Sequence, residues 1–551
     1  MTYAERDTHS VNAQRLAYGR LLKLTRHFLS VALLFISVFG TAAHAVIPQI
    51  TAGDEHTLAL RTDGTVWAWG SNDIGQLGNG SFQNSSIPVQ VPGLRGISGI
   101  SASRHTLALK NDGTVWAWGG NAYGELGNGT TLGSTTPVEV PGLTGVSAIS
   151  AGRGFSVALK YDGTVWTWGQ TMPNSTYTYS TTPVQVNGLT DVTSISAGGG
   201  YSIALKKDGT VWGWGALGNG EYGVLFNSVT PVPISGLTNV AEISARYYQI
   251  AVLKNDGTVW FVGILGSLSP TITRPLQVGG LSGVMSIATG HANTLALKSD
   301  GTVWAWGNNI WGQLGNGQVG NSPPTYLDST TPTQVLSLFD IAGIAGGVRH
   351  AAARRTDGTV WTWGDNTNGK FGNGTTVNAS VPQQSQINLI APLPPVTEFY
   401  NADLDHYFRT ADADEANSID HGAAGPSWIR TGNTFNSGGS TPACRFYGSQ
   451  SPGPNSHFYT VDTGECAYLK QLQASTPSTQ KRWNFESLDF ESTPPVNGVC
   501  PSATAPVYRA YNNGFARNID SNHRISSNLA AIQEVVARGW INEGVVMCAP
   551  L

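Results

Sequence analysis

An octapeptide, Asp63-Gly64-Thr65-Val66-Trp67-Ala68-Trp69-Gly70, constrains the fold of this chain more than any other feature, because near-copies of it recur along the sequence. They begin at Asp112, Asp162, Asp208, Asp256, Asp300 and Asp357, at intervals of 49, 50, 46, 48, 44 and 57 residues. Seven copies at a nearly constant period define a repeat architecture. Upstream of each copy lies an alternating run, such as residues 50–60 or 149–159, whose period of two predicts a strand with one buried face. The Asp-Gly pair supplies the positive φ angles of a tight hairpin turn. The strand that follows carries Trp67 and Trp69 on one face, because side chains alternate. A third extended segment, residues 88–92 in the first copy and 137–141 in the second, completes a unit of three or four short strands. One such unit is too small to cover both of its faces. Seven arranged radially cover one another, which predicts an all-β seven-bladed β-propeller over residues 46–391. A linear β-solenoid is the alternative.

The recurrent pattern, I-S-A-G, H-T-L-A-L-K-N-D-G-T-V-W-A-W-G, G-Q-L-G-N-G and T-T-P-V-Q-V-P-G-L, resembles the repeat of the regulator of chromosome condensation family. The resemblance covers residues 47–391 and all seven copies, and it implies the seven-bladed propeller. Its functional implication is broad, since one fold hosts many activities. Members include a nucleotide exchange factor for a nuclear GTPase and a secreted bacterial protein that plugs the active site of a β-lactamase.

The copies differ most in their loops. Gly-Gln-Leu-Gly-Asn-Gly stands at 75–80 and 312–317, with variants at 124–129 and 369–374, whereas the third and fifth copies lack it and the fourth keeps only residues 217–220. Unequal loops on a regular scaffold are where binding specificity sits. The aromatic candidates for a contact patch are Tyr123, Tyr177, Tyr179, Tyr222, Phe226, Trp311 and Tyr326. His56, His105 and His350 occupy a strand position that holds Phe155, Tyr201, Gln249 and Asn293 elsewhere, so they read as packed or hydrogen-bonded structural groups rather than metal ligands. His291 falls two places earlier, in a loop. The Asp of each Asp-Gly is a turn former.

The N-terminus has the form of an export signal. Lys23 and Arg26 precede an apolar run over residues 28–39, and Ala43-His44-Ala45 is a small-x-small cleavage site that makes residues 1–45 a signal peptide cut after Ala45. An uncleaved anchor or a misplaced start is the alternative. Later segments contain no apolar run long enough to span a bilayer. All 4 cysteines, Cys444, Cys466, Cys500 and Cys548, lie in the last fifth, which in an exported chain suggests two disulfides. Three pairings exist. Cys444–Cys466 with Cys500–Cys548 is preferred because each closes a local module, and no Cys/His spacing favours zinc.

A Pro-rich linker at 392–396 leads to a smaller α+β domain over 397–551. Trp428, Trp483 and Trp540, 55 and 57 residues apart, mark three repeated modules, each a hairpin, a helix and a return strand. The run from Asn528 to Arg538 has helical periodicity and Gly539 as its stop. The marks C-R-F-Y, S-H-F-Y, E-C, and V-Y-R followed by N-H-R resemble an uncharacterised domain at the C-terminus of exported bacterial proteins. His406, His457 and His523 fall at roughly equivalent module positions, either as a metal set or as three core histidines, and the second reading leaves the metal list empty. Asp403, Asp405, Asp412 and Asp414 lack the glycine and closing glutamate of a calcium loop.

Charged residues form 12% of the chain, about half the usual share, and the net charge is -4, so no basic stripe for nucleic acid is present. No G-x-S-x-G, H-E-x-x-H or phosphate-binding loop occurs. The sequence therefore points to a secreted or cell-surface, monomeric, non-enzymatic binding protein without a cofactor, recognising a protein or glycan. An exchange factor for a small GTPase and a polysaccharide hydrolase are the alternatives.

Overall fold

A computed structural model describes residues 46–171, 178–217, 226–264, 272–320, 327–391, 395–402, 406–411, 413–422, 427–438, 441–448, 457–477, 483–512 and 522–551. The chain divides into two compact units, one over Ala45–Pro392 and one that holds Leu393–Leu551. The expected signal peptide over 1–45, Tyr177, Tyr222, Tyr326 and the side chain of Phe226 lie outside the described residues. So do the 392–394 part of the linker, Asp403, Asp405 and Asp412, and the side chain of Asp414.

The first unit contains seven four-stranded antiparallel sheets, each built from four consecutive strands. In blade 1 these are Gln49–Ala52, His56–Leu60, Val66–Gly70 and Ser85–Gln90. The first strands of successive blades touch one another, and that of blade 7, Ile341–Gly346, touches Gln49–Ala52. The ring therefore closes, as a propeller does and a solenoid does not.

The repeated residues explain the closure. Every Asp-Gly-Thr turn is locked by its aspartate, as where Asp63 Oδ1 accepts from Thr65 N at 2.9 Å and Thr65 Oγ1 at 2.6 Å. The basic residue before each turn lies over the first tryptophan of the next strand, from Lys254 at 4.1 Å from the Trp260 ring to Arg61 at 5.8 Å from Trp67. The second tryptophan packs on the preceding blade. Trp118 is fully buried among Leu58, Leu60, Val66 and Leu77 of blade 1, and Trp69 packs with Val360 and Leu389 of blade 7. Burying such a ring contributes about 2–3 kcal/mol.

The Gly-Gln-Leu-Gly-Asn-Gly loop is the latch for this ring. Its second residue offers a backbone carbonyl to the indole N–H of the next blade. Trp118 donates to Gln76 O at 3.0 Å, Trp168 to Glu125 O at 2.7 Å, Trp363 to Gln313 O at 2.9 Å and Trp69 to Lys370 O at 2.8 Å. The glycine two residues on lies against the ring, and a Cβ at Gly78 would stand 2.5 Å from Trp118 Nε1. Trp306 follows a blade without the motif, and its buried Nε1 has no partner.

In the second unit three modules repeat. The first has Pro395–Asn401, His406–Thr410, the helix Ala413–Asp420 and Trp428–Asn436. The second has Thr441–Gly448, His457–Thr460, the helix Thr463–Ser475 and Trp483–Ser492. The third has Thr504–Tyr511, His523–Ser526, the helix Leu529–Ala537 and Ile541–Pro550. In each, the first strand is central in a three-stranded sheet. Asn528 caps the last helix through Ala530 N at 3.0 Å, and Gly539 follows it with φ 94°. The disulfides are Cys444–Cys466 and Cys500–Cys548.

Strand register corrects one expectation. His457 faces Tyr447 and His523 faces Tyr511, but the equivalent partner of Tyr400 is Tyr407, and His406 pairs one residue further out with Asn401. A shift of one residue turns a side chain to the other face of a sheet. The three histidines therefore do not form an equivalent set. Among the described residues no His, Cys, Asp or Glu group suited to a metal occurs.

Candidate functional site: one mouth of the propeller channel

Antiparallel order places the loops between first and second strands, and those between third and fourth strands, on the same side of the ring. The first set surrounds the channel mouth, and three of its side chains join across it. Arg246, at the end of the blade 5 first strand, donates to Ala52 O of blade 1 at 2.8 Å and approaches Asp54 Oδ1 at 3.2 Å. It also reaches Ala102 O of blade 2 at 3.4 Å. Tyr247 Oη donates to Asp54 Oδ2 at 2.8 Å. Its ring meets that of His291 edge-on at 4.3 Å, and the Arg153 guanidinium lies 5.3 Å from it.

This hub is buried and costly to build. Asp54 and Tyr247 are each 8% exposed, so the carboxylate requires both donors. Tyr247 adopts φ 45°, a left-handed conformation rare for a bulky side chain, and such strain collects at functional positions. Burial and the neighbouring Asp54 charge push the Tyr247 hydroxyl up, so it stays protonated and donates. Burial also lowers His291 below its ordinary value, against the pull of Asp54 and with the push of Arg246, Arg153 and Arg349.

Around the hub stand exposed arginines on three blades, Arg104, Arg153 and Arg349. Arg349 lies 5.3 Å from the Trp311 ring. Tyr123, 40% exposed, borders the Arg153 loop, since a Cβ on Gly154 would lie 3.2 Å from its ring. Fully buried Lys370 pairs with Asp365 at 2.8 Å and with Glu55 on the neighbouring blade, fixing the loop where blades 7 and 1 meet. The result is a rigid, plugged mouth with a basic and aromatic rim.

Of the aromatic candidates, Tyr123 and Trp311 belong to this rim. Tyr179 is 56% exposed on Thr178–Gln185, the outermost strand of blade 3, away from the mouth. Sequence reasoning did not find Asp54, Arg246 or Tyr247. The available signal was confined to Arg246, which stands where other copies hold Gly53, Gly152, Gly198, Gly290 and Gly347; the position of Asp54 and Tyr247 is variable, with Arg153, Gly199, His291 and Val348 elsewhere. His56, His105 and His350 are interblade links. Their Nε2 atoms lie 3.1 Å from Thr106 Oγ1, 2.7 Å from Ser156 Oγ and 3.0 Å from Thr57 Oγ1. Burial takes His56 down to about 3 and His105 to about 4, and holds His350 well below the usual histidine range.

Comparison with known proteins agrees with this architecture. The regulator of chromosome condensation (RCC1) repeat matches residues 63–109, 112–159, 300–354 and 357–389, and a second form of that repeat matches 48–76, 192–223 and 341–370. A domain of unknown function, DUF5648, matches 374–475 and 395–550. The first unit thus carries RCC1 repeats on a propeller fold, and the C-terminal region matches DUF5648. The ultraviolet-B receptor UVR8 of Arabidopsis thaliana is 42% identical over 57 residues, 10% of this chain and 13% of that protein. The human E3 ubiquitin-protein ligase HERC2 is 41% identical over 46 residues, 8% of this chain and 1% of HERC2. These alignments span only a small part of both relatives. The structure of Prp20p from Saccharomyces cerevisiae aligns at TM-score 0.53 and 21% identity, covering 64% of this chain and 91% of that one. Yeast RCC1 (Prp20) bound to Kap60 aligns at 0.52 and 21%, covering 64% and 89%. That likeness establishes the propeller fold.

Proposed function

We propose that this is an exported, non-catalytic binding protein that acts as a monomer and recognises an acidic protein segment with the plugged channel mouth. The observation that carries the reading is the Asp54–Arg246–Tyr247 hub. A buried ion pair spanning blades 1 and 5 makes the surface rigid before any partner arrives, which lowers the entropic cost of association. Arg104, Arg153 and Arg349 then supply a basic rim that steers and orients an acidic partner, and Tyr123 and Trp311 supply aromatic contact area. Export is supported by the N-terminal sequence and by two disulfides in the C-terminal unit. No described helix is long and apolar enough to cross a membrane.

The test is chemical crosslinking of the intact mature chain to proteins of the host cell envelope and medium, beside a variant carrying Arg104→Glu, Arg153→Glu and Arg349→Glu. A partner retained by the parent and lost by the variant supports the reading. Equal capture by both removes the mouth from it. Turnover of a defined substrate, or accelerated nucleotide release from a GTPase panel, overturns the non-catalytic or the non-exchange part.

A further inference from the structure

The three modules of the C-terminal unit meet at related junctions, and one differs. Between the first and second modules the Arg445 guanidinium lies 5.4 Å from the Phe408 ring, and Phe408 meets His457 edge-on at 4.8 Å. Between the second and third, Arg509 lies 4.7 Å from Phe458, and Phe458 meets His523 edge-on at 4.9 Å. Between the third and first, all three positions change together. Arg524 replaces the phenylalanine, Glu398 replaces the arginine and Tyr407 replaces the histidine. Arg524 Nη2 lies 3.1 Å from Glu398 Oε1, with its guanidinium 4.3 Å from the Tyr407 ring.

This third junction opens into a cavity of about 440 Å³ lined by Tyr400, Tyr407, Thr431, Asn433, Arg524 and Asn528, among others. That volume lies within the roughly 300–1,000 Å³ of small-molecule sites. Its polar groups are fixed in place. Fully buried Glu398 accepts from Thr431 Oγ1 at 2.6 Å and Asn433 Nδ2 at 2.8 Å, and Asn433 Oδ1 accepts from Asn528 Nδ2 at 3.1 Å. The cations are committed too. Arg524 is held by Glu398 and by Glu534 at 3.3 Å, and Arg538 at the edge is also engaged. Removing one partner of such a buried pair is expensive, so the site has no arginine to spare for an anion.

We propose that the cavity at the junction of the third and first modules binds a neutral saccharide. A sugar ring presents a C–H face that packs on the half-buried phenol ring of Tyr400, which is itself backed by Tyr407 at 4.6 Å. Its hydroxyls donate and accept at once, which matches the amide and hydroxyl groups of Asn433, Asn528 and Thr431. Fixed side chains give up little entropy on binding. The site is independent of the propeller mouth.

The test is a titration of the intact mature chain, followed by ligand-observed NMR, with chitotriose, cellotriose and mannotriose, and with sialyllactose and a sulfated trisaccharide as anionic comparisons. Binding of at least one neutral sugar is expected, weakened tenfold or more by Tyr400→Ala and unchanged by Tyr447→Ala, the equivalent tyrosine of the second module. Thermal unfolding of each variant identifies one that has failed to fold, in which case Glu534→Gln, at the exposed edge, serves in its place and is expected to weaken binding severalfold. No binding of any neutral sugar, binding of the anionic sugars alone, or equal losses in Tyr400→Ala and Tyr447→Ala overturn the proposal.

Discussion

Glu398 and Arg524 stand 126 residues apart in sequence and 3.1 Å apart in space, both almost wholly buried. Arg409 shares the same carboxylate. Their positions hold arginine and phenylalanine at the other two module junctions, so the exchange was made on both sides of one contact. Arg524→Leu is expected to destabilise the C-terminal unit by about 3 kcal/mol, because it leaves a buried carboxylate with Arg409 as its remaining cation. The double variant Glu398→Leu, Arg524→Leu should cost clearly less than the sum of the singles. Denaturant unfolding of all three variants measures the coupling, and strict additivity would show that the pair is not a unit.

The interblade histidines predict acid sensitivity. Their folded pKa values lie below the unfolded value near 6.5, so the unfolded chain binds more protons as pH falls through 6.5. Stability is intact above 6.5, declines as pH drops toward about 4 for His105 and about 3 for His56, and levels off below. Each contributes a loss of about 2 kcal/mol between pH 6.5 and 5. His105→Gln should flatten the slope of thermal stability against pH over that range, and an unchanged slope would contradict the neutral, buried assignment.

Glu242 predicts the opposite sign. It accepts from Ser286 Oγ at 2.9 Å and from Ile287 N at 3.3 Å on the next blade, and burial raises its pKa to about 7. A raised value means that the carboxyl favours folding while protonated and costs stability as pH rises from the ordinary carboxyl range through 7. Glu242→Gln keeps the acceptor without the charge. It should stabilise the propeller by about 3 kcal/mol at pH 8 and by nothing at pH 4. Equal effects at both values would mean that the shift is absent.

The tryptophan latch separates two residues that look identical in sequence. Trp69→Phe removes the indole donor to Lys370 O and leaves that buried carbonyl with Thr57 Oγ1 as its remaining donor, at a cost of about 1 kcal/mol beyond the lost ring area. Trp306→Phe removes an indole N–H that has no partner and should cost little beyond that area. Chemical denaturation of the two variants decides it, and equal losses would remove the latch from the account.

The propeller was legible because its cause is local and repeated seven times. An alternating strand and an Asp-Gly turn each act within one unit, the second tryptophan reaches only the neighbouring one, and the period then dictates the ring. The disulfide pairing was legible for the same reason, as each bond stays within its module region. The mouth was not, because Asp54 and Arg246 lie 192 residues apart and meet only once the ring has closed. Nothing in either repeat states what stands opposite it. Tyr123 and Trp311 were candidates because they sit in variable loops, whereas the hub sits in the short links between first and second strands, where Arg246, ahead of Tyr247 and Tyr248, replaces the glycine that most copies carry. The one-residue offset of His406 was likewise hidden, since only strand register shows which face a side chain takes.

The central claim is that the plugged mouth is the recognition surface, and the most direct measurement is a hydrogen-exchange footprint of the captured partner complex. The account predicts slowed exchange in the loops bearing Arg104, Tyr123, Arg153, Trp311 and Arg349, with the Asp-Gly turns on the opposite side unchanged. Protection confined to those turns, from Asp63 round to Asp357, would contradict it.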